Sequence, residues 1–125
     1  MNASNASDPY IVTVLDERDQ PLSRRASAAE DLHDTIHEAL EFASSVATRR
    51  SNDETYFVFS VRQSVIEQIA YLPDEGGTIT LPGNIGLRVQ VQQVAWASIA
   101  EAIGRQLRFG DSTAATVDQF NAQFA

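Results

Sequence analysis

The sequence predicts a small α+β domain: a mostly antiparallel sheet of about four strands, with helices packed mainly on one of its faces. Three observations lead there. Short β-branched runs bounded by polar residues recur along the chain. Between and after them, apolar residues return at helical spacing. The elements follow the order β-α-β-(α)-β-β-α-α, which suits an antiparallel sheet with segregated helices.

Residues 1–9 read as a disordered polar tail, and residues 10–125 as a single domain. The tail repeats the triplet Asn-Ala-Ser, which matches a glycosylation pattern but follows no secretory signal. Tyr10 to Leu15 (YIVTVL) is β-branched and reads as a strand. Asp16 to Arg25 carries charge and Pro21 and reads as a loop. Ser27-Ala28-Ala29-Glu30 has the spacing of a capping box. It opens a predicted helix from about Ala28 to Thr48, with Arg49 and Arg50 at the end where the macrodipole favours cations. On that helix Leu32, Ile36, Ala39, Leu40, Ala43, Val46 and Ala47 share one face, while Glu30, His33, Asp34, His37, Glu38 and Glu41 gather on the opposite one.

Glu54 to Val61 (ETYFVFSV) reads as a central strand, apolar on both sides. Ser64 to Leu72 is ambiguous: a second capping box, Ser64-Val65-Ile66-Glu67, favours a short helix over a strand. Thr78 to Leu81 and Leu87 to Val91 are strands around the turn Pro82-Gly83-Asn84. In the second, Leu87, Val89 and Val91 alternate with Arg88, Gln90 and Gln92, a half-buried strand with a polar outer face. Ala95 to Leu107 reads as a helix burying Trp96, Ile99, Ile103 and Leu107, with Glu101 and Arg105 at i,i+4 spacing. Gly110-Asp111-Ser112 ends it and caps a last helix whose stripe, Val117, Phe120 and Phe124, suffices to dock a peripheral element.

Composition bounds the function. All nine basic residues are arginine, against 17 acids, for a net charge of −8. Residues 1–75 hold 14 acids and 6 arginines, and residues 76–125 hold 3 of each, so the whole imbalance lies in the first part. All six glycines lie after residue 75, where the tight turns are expected. Without cysteine there is neither a disulfide framework nor a Cys-based zinc site. An acidic chain repels phosphate, so no direct nucleic-acid binding is expected, nor attachment to an anionic membrane. A cytoplasmic protein without a cofactor is the expectation.

Few residues suggest chemistry. No G-x-S-x-G elbow, phosphate loop or dinucleotide fingerprint occurs. Gly83-Asn84-Ile85-Gly86 has a G-x-x-G spacing but contains no basic residue and reads as a turn. His33 and His37, four apart and flanked by Glu30 and Glu41, have the spacing of a metal chelate; the same pattern also arises on an ordinary solvated helix face. The acids of the helix between Glu30 and Glu41 have no basic partner within it. They suit either solubility or docking to a protein with a basic surface. The polar strand face of Arg88, Gln90 and Gln92, with Thr78 and Thr80 beside it, would suit a partner or homodimer contact if the sheet is open there.

The expected function is therefore a non-enzymatic interaction module, such as an inhibitor, antitoxin-like factor or accessory subunit. The expected contacts are Glu30, Asp34, Glu38, Glu41, Arg88, Gln90 and Gln92. The alternatives are a small enzyme or ligand-binding domain with a pocket between sheet and helices, lined by Tyr56, Tyr71 and Trp96, and a metal-binding protein using His33 and His37.

Overall fold

The computed structural model describes residues 8–51, 63–81, 86–104 and 113–124. It forms an α+β fold with a four-stranded antiparallel sheet. The elements in chain order are β1 (Tyr10–Leu15), β2 (Pro21–Ser27), α1 (Leu32–Ser51), α2 (Gln63–Ala70), β3 (Gly76–Thr80), β4 (Arg88–Gln93), α3 (Trp96–Ala102) and α4 (Thr113–Phe124). The strand order is β2-β1-β4-β3. β1 and β4 are therefore central among the described strands, and β2 and β3 are the edges. The expected strand Glu54–Val61, the turn Pro82-Gly83-Asn84 and the residues Arg105 and Leu107 lie outside the described residues.

β1, α1, β3 and β4 arise where the residue patterns place them, whereas β2 does not. Pro21–Ser27 falls largely in a stretch that reads as loop, yet it pairs with β1 from Tyr10↔Ser27 to Leu15↔Pro21, with an irregularity at Val14/Leu15. Pro21 is tolerated because it is the first residue of an edge strand. Buried backbone groups of β1 need partners on both sides, and β2 supplies them where its own composition gives no strand signal. Asp16 closes the hairpin: its Oδ1 accepts from the amides of Arg18 at 2.8 Å and Gln20 at 2.9 Å. Asp19 takes a positive φ of 61°, which a short polar side chain tolerates.

The first expected capping box does not form. Ser27 ends β2, donates its hydroxyl to the Ala28 carbonyl at 2.8 Å and accepts from Thr35 Oγ1 at 2.9 Å. Ala28 is the N-cap and makes no side-chain capping bond, so the chain enters through a single 3-10 turn, Ala29–Asp31. The α-helix starts only at Leu32. Ladder pairing of Ser27 with Tyr10 outweighs the local capping motif. Likewise, Ser64 lies inside the first turn of α2 rather than ahead of it. α3 stops at Ala102, short of the expected Leu107. The Gly104 amide bonds the Glu101 carbonyl at 3.0 Å, with Gly104 at φ +69°, a left-handed helix end.

The main core lies on one face of the sheet. Val12, Val14, Ile79, Val89 and Val91 meet Ile36, Ala39, Leu40, Ala43 and Ala47 of α1 and Val65 of α2. Leu32, Val46, Ile69 and Leu72 pack around them. The sector on α2 is narrower than its spacing suggests, because Ile66 remains 44% exposed. A smaller cluster of Ala26, Ile99, Ile103 and Phe120, with Ile11, Val94 and Val117 against it, brings α3 and α4 to β2 and the neighbouring end of β1. Ile11 and Val12 are adjacent in an extended strand, so the two clusters lie on opposite sides of the sheet. No helix among the described residues is long and apolar enough to cross a membrane.

Each sheet edge carries a side-chain amide clamped onto an outward-facing peptide. Asn121 of α4 accepts from the Ala26 amide at 2.7 Å and donates to the Ala26 carbonyl at 3.1 Å. Gln68 of α2 accepts from the Thr80 amide at 2.8 Å and donates to the Thr80 carbonyl at 2.8 Å. The two amides occupy edge groups that would otherwise template another strand. Ala26 is buried while Thr80 is exposed, so water can replace Gln68 more readily than Asn121. Asn121→Ala is accordingly expected to cost ~2–3 kcal/mol in urea unfolding, and Gln68→Ala only ~0.5–1 kcal/mol. Equal costs would show that burial does not set the difference.

Candidate functional site

The outer surface of α1 follows from its inner one. With Ile36, Leu40, Ala43 and Ala47 against the sheet, the polar residues form two neighbouring ridges. One carries His33, His37 and Glu41, with Glu30 of the preceding 3-10 turn in line with them. The other carries Asp34 and Glu38, with Asp31 of the same turn in line. All of these side chains are exposed except His37, which is half-buried.

The second ridge is one wall of a groove of about 260 Å³. Asp31, Asp34, Thr35 and Glu38 line it from the α1 side, Arg25 to Ala28 form its floor along the end of β2, and Val117 and Asn121 of α4 form the opposite wall. Arg25 is the one arginine among these lining residues, and its Nε lies 3.8 Å from Glu38 Oε2. Both side chains of that pair are about half exposed or more (45% and 60%), so water screens it and it contributes little stability. Among the described residues, three carboxylates thus face one groove with a single, loosely held cation.

The first ridge borders a different cleft, of about 300 Å³, lined by Glu30, His33, Leu32 and Ile36 on one side and by Ile69, Leu72 and Asp74 on the other. Tyr10 lies in it, and its hydroxyl donates to the Asp74 carbonyl at 2.7 Å. Burial, and secondarily the negative charges of Asp74 and Glu75, raise its phenol above the ordinary value of 10.0. The protonated hydroxyl therefore anchors the turn before β3. Farther along this ridge, His33 and His37 converge, with Nε2 atoms 3.0 Å apart and ring centroids 4.5 Å apart. Among the described residues, no group of three or more His, Asp or Glu side chains is arranged to hold a metal ion.

The expected contact residues divide among these surfaces. Asp34 and Glu38 meet in the groove, Glu30 lines the cleft, and Glu41 borders neither. Arg88, Gln90 and Gln92 alternate with the buried Val89 and Val91, so they lie on the sheet face opposite α1. Gln90 and Gln92 are exposed there, as are Thr78 and Thr80. Arg88 is engaged by the β1–β2 turn, donating to Asp19 Oδ1 and, at 3.3 Å, to the Asp16 carbonyl. Tyr71 is 84% exposed and lines none of the clefts described here, and Tyr56 lies outside the described residues.

Comparison with family models, with curated proteins and with solved structures finds no match to this chain. The site must therefore be read from its own residues. Two of them, Asp31 and Arg25, are not among the expected contact residues. Asp31 has the spacing of Asp34 and Glu38 (i, i+3, i+7), and that signal is present in the sequence. Arg25 carries no such signal, because it reaches α1 only once Pro21–Ser27 has become a strand.

Proposed function

We propose that this protein is a non-enzymatic interaction module that binds a partner protein through a basic surface, with the carboxylate-lined groove between α1 and α4 as the contact. One observation supports it most: Asp31, Asp34 and Glu38 line a single groove whose lining includes one arginine. A concave acidic surface is electrostatically complementary to arginine or lysine side chains, and long-range attraction speeds encounter. In this reading the protein acts in the cytoplasm as an inhibitor, antitoxin-like factor or accessory subunit, and it needs no cofactor.

The test is capture of the partner by the tagged chain at low and at high salt. Capture is expected to weaken steeply as salt rises. Asp34→Arg with Glu38→Gln should weaken it roughly tenfold or more, equivalent to about 1.4 kcal/mol or more. Glu41→Arg, on the same helix but outside the groove, should have a much smaller effect. Capture that ignores the groove variant, or that responds instead to substitution of Gln90 and Gln92, would overturn the assignment.

A further inference from the structure

We propose that His33 and His37 form a two-imidazole chelate on the outer ridge of α1, selective for copper(II) over nickel(II) and zinc(II). The four-residue spacing places the rings one helical turn apart, on the same side. Their Nε2 atoms converge to 3.0 Å, with ring planes 64° apart. For metal–nitrogen bonds of about 2.0–2.1 Å, a 3.0 Å separation corresponds to an N–metal–N angle of roughly 95°. That is the cis angle of a tetragonal site, well below the roughly 109° of the tetrahedral geometry that zinc prefers. Tetragonal nitrogen and oxygen donor sets suit copper(II) and nickel(II), and copper(II) binds the more tightly.

Without metal, the two Nε2 atoms lie within hydrogen-bond distance of each other, and the ring that carries its proton on Nε2 donates it to the other. Ligation requires that proton to pass to Nδ1 of the same ring. Both imidazoles then ligate as neutral donors, with no net loss of a proton. Water completes the coordination, because no third side chain among the described residues joins the cluster. Glu30, one turn before His33, and Glu41, one turn after His37, add a negative field that favours a dication. The groove carboxylates are not its ligands, so the chelate and the docking reading fail or stand separately.

The experiment is titration of the full chain with copper(II) chloride, followed by calorimetry and electron paramagnetic resonance. One equivalent should bind, giving a tetragonal spectrum with coupling to two imidazole nitrogens. Nickel(II) and zinc(II) should bind more weakly. Copper(II) should also raise the Tm, because the folded helix holds the two rings together and the unfolded chain does not. His33→Ala and His37→Ala should each weaken binding about tenfold or more, since loss of an outer-shell partner alone typically costs about 10–100-fold. The double variant should lose the two-nitrogen spectrum. Alanine favours helix at such positions, so far-UV circular dichroism should be unchanged; glutamine at both positions gives a second test that keeps the surface polar. A two-nitrogen spectrum that survives in the double variants, or oxygen-only coupling in the parent chain, would overturn the proposal. So would a Tm that copper(II) does not raise.

Discussion

Replacing Gly76 by alanine is expected to destabilise the protein by ~2–5 kcal/mol, the sum of backbone strain and overpacking. Gly76 opens β3 at φ +105°, a conformation that L side chains rarely adopt. A β-carbon there would overlap the Val91 carbonyl oxygen and stand 2.7 Å from the Val91 carbonyl carbon. Both atoms belong to the backbone of β4, so relief requires the β3–β4 ladder to move. The ladder is constrained on either side, since the Gly76 amide bonds Pro73 O at 2.9 Å and the Gln93 amide bonds Glu75 O at 3.0 Å. Gly104→Ala is the matched control. Its φ is also positive, at +69°, but apart from its chain neighbours no described residue lies within 4 Å of the added carbon. That change should cost only ~1 kcal/mol. Urea unfolding of the two variants measures the contrast, and similar losses would show that close approach to Val91 is not the controlling factor.

Phe120→Ala is expected to cost ~3–5 kcal/mol, a large share of the ~5–15 kcal/mol that holds a domain of this kind together. Phe120 is 2% exposed and is the largest side chain in the cluster with Ala26, Ile99 and Ile103. That cluster, with the Asn121 clamp, holds α4 against β2. Removing the ring should therefore release α4 before the rest of the molecule. Hydrogen exchange would show protection lost first in α4 and at Ala26, with β1, β4 and α1 protected to higher denaturant. The opposite wall of the acidic groove would go with α4. Stability within ~0.5 kcal/mol of the parent would mean that the second cluster does not carry the helix.

These two positions also mark the limit of what residue patterns disclose. β1, β4 and the inward face of α1 follow strong local signals: β-branched runs, strict alternation and apolar spacing at 3.6 residues. Pro21–Ser27 has none of these, and it is a strand because the second side of β1 must be hydrogen-bonded. Ser27 illustrates the competition most directly. Four consecutive residues fit a capping box, yet Ser27 is held in the ladder opposite Tyr10 and its hydroxyl meets Ala28 and Thr35 instead. A motif read over four residues cannot weigh a pairing partner seventeen positions away.

The candidate site divides in the same way. The concentration of acids on α1, and the one-turn spacing of His33 and His37, are already present in the order of residues. A helix turns a fixed angle per residue, so a residue's face follows from its number once the apolar side is known. Only the tertiary structure decides what each ridge confronts. Asp31, Asp34 and Glu38 face a groove because Asn121, 95 residues beyond Ala26, clamps the edge of β2 and sets α4 opposite α1. Glu30 and His33 face Leu72 and Asp74 across a separate cleft, and Glu41 borders neither. Periodicity is a local property of the chain. Grooves are made by contacts between distant segments, and here a buried phenylalanine and one amide side chain determine which acids share one.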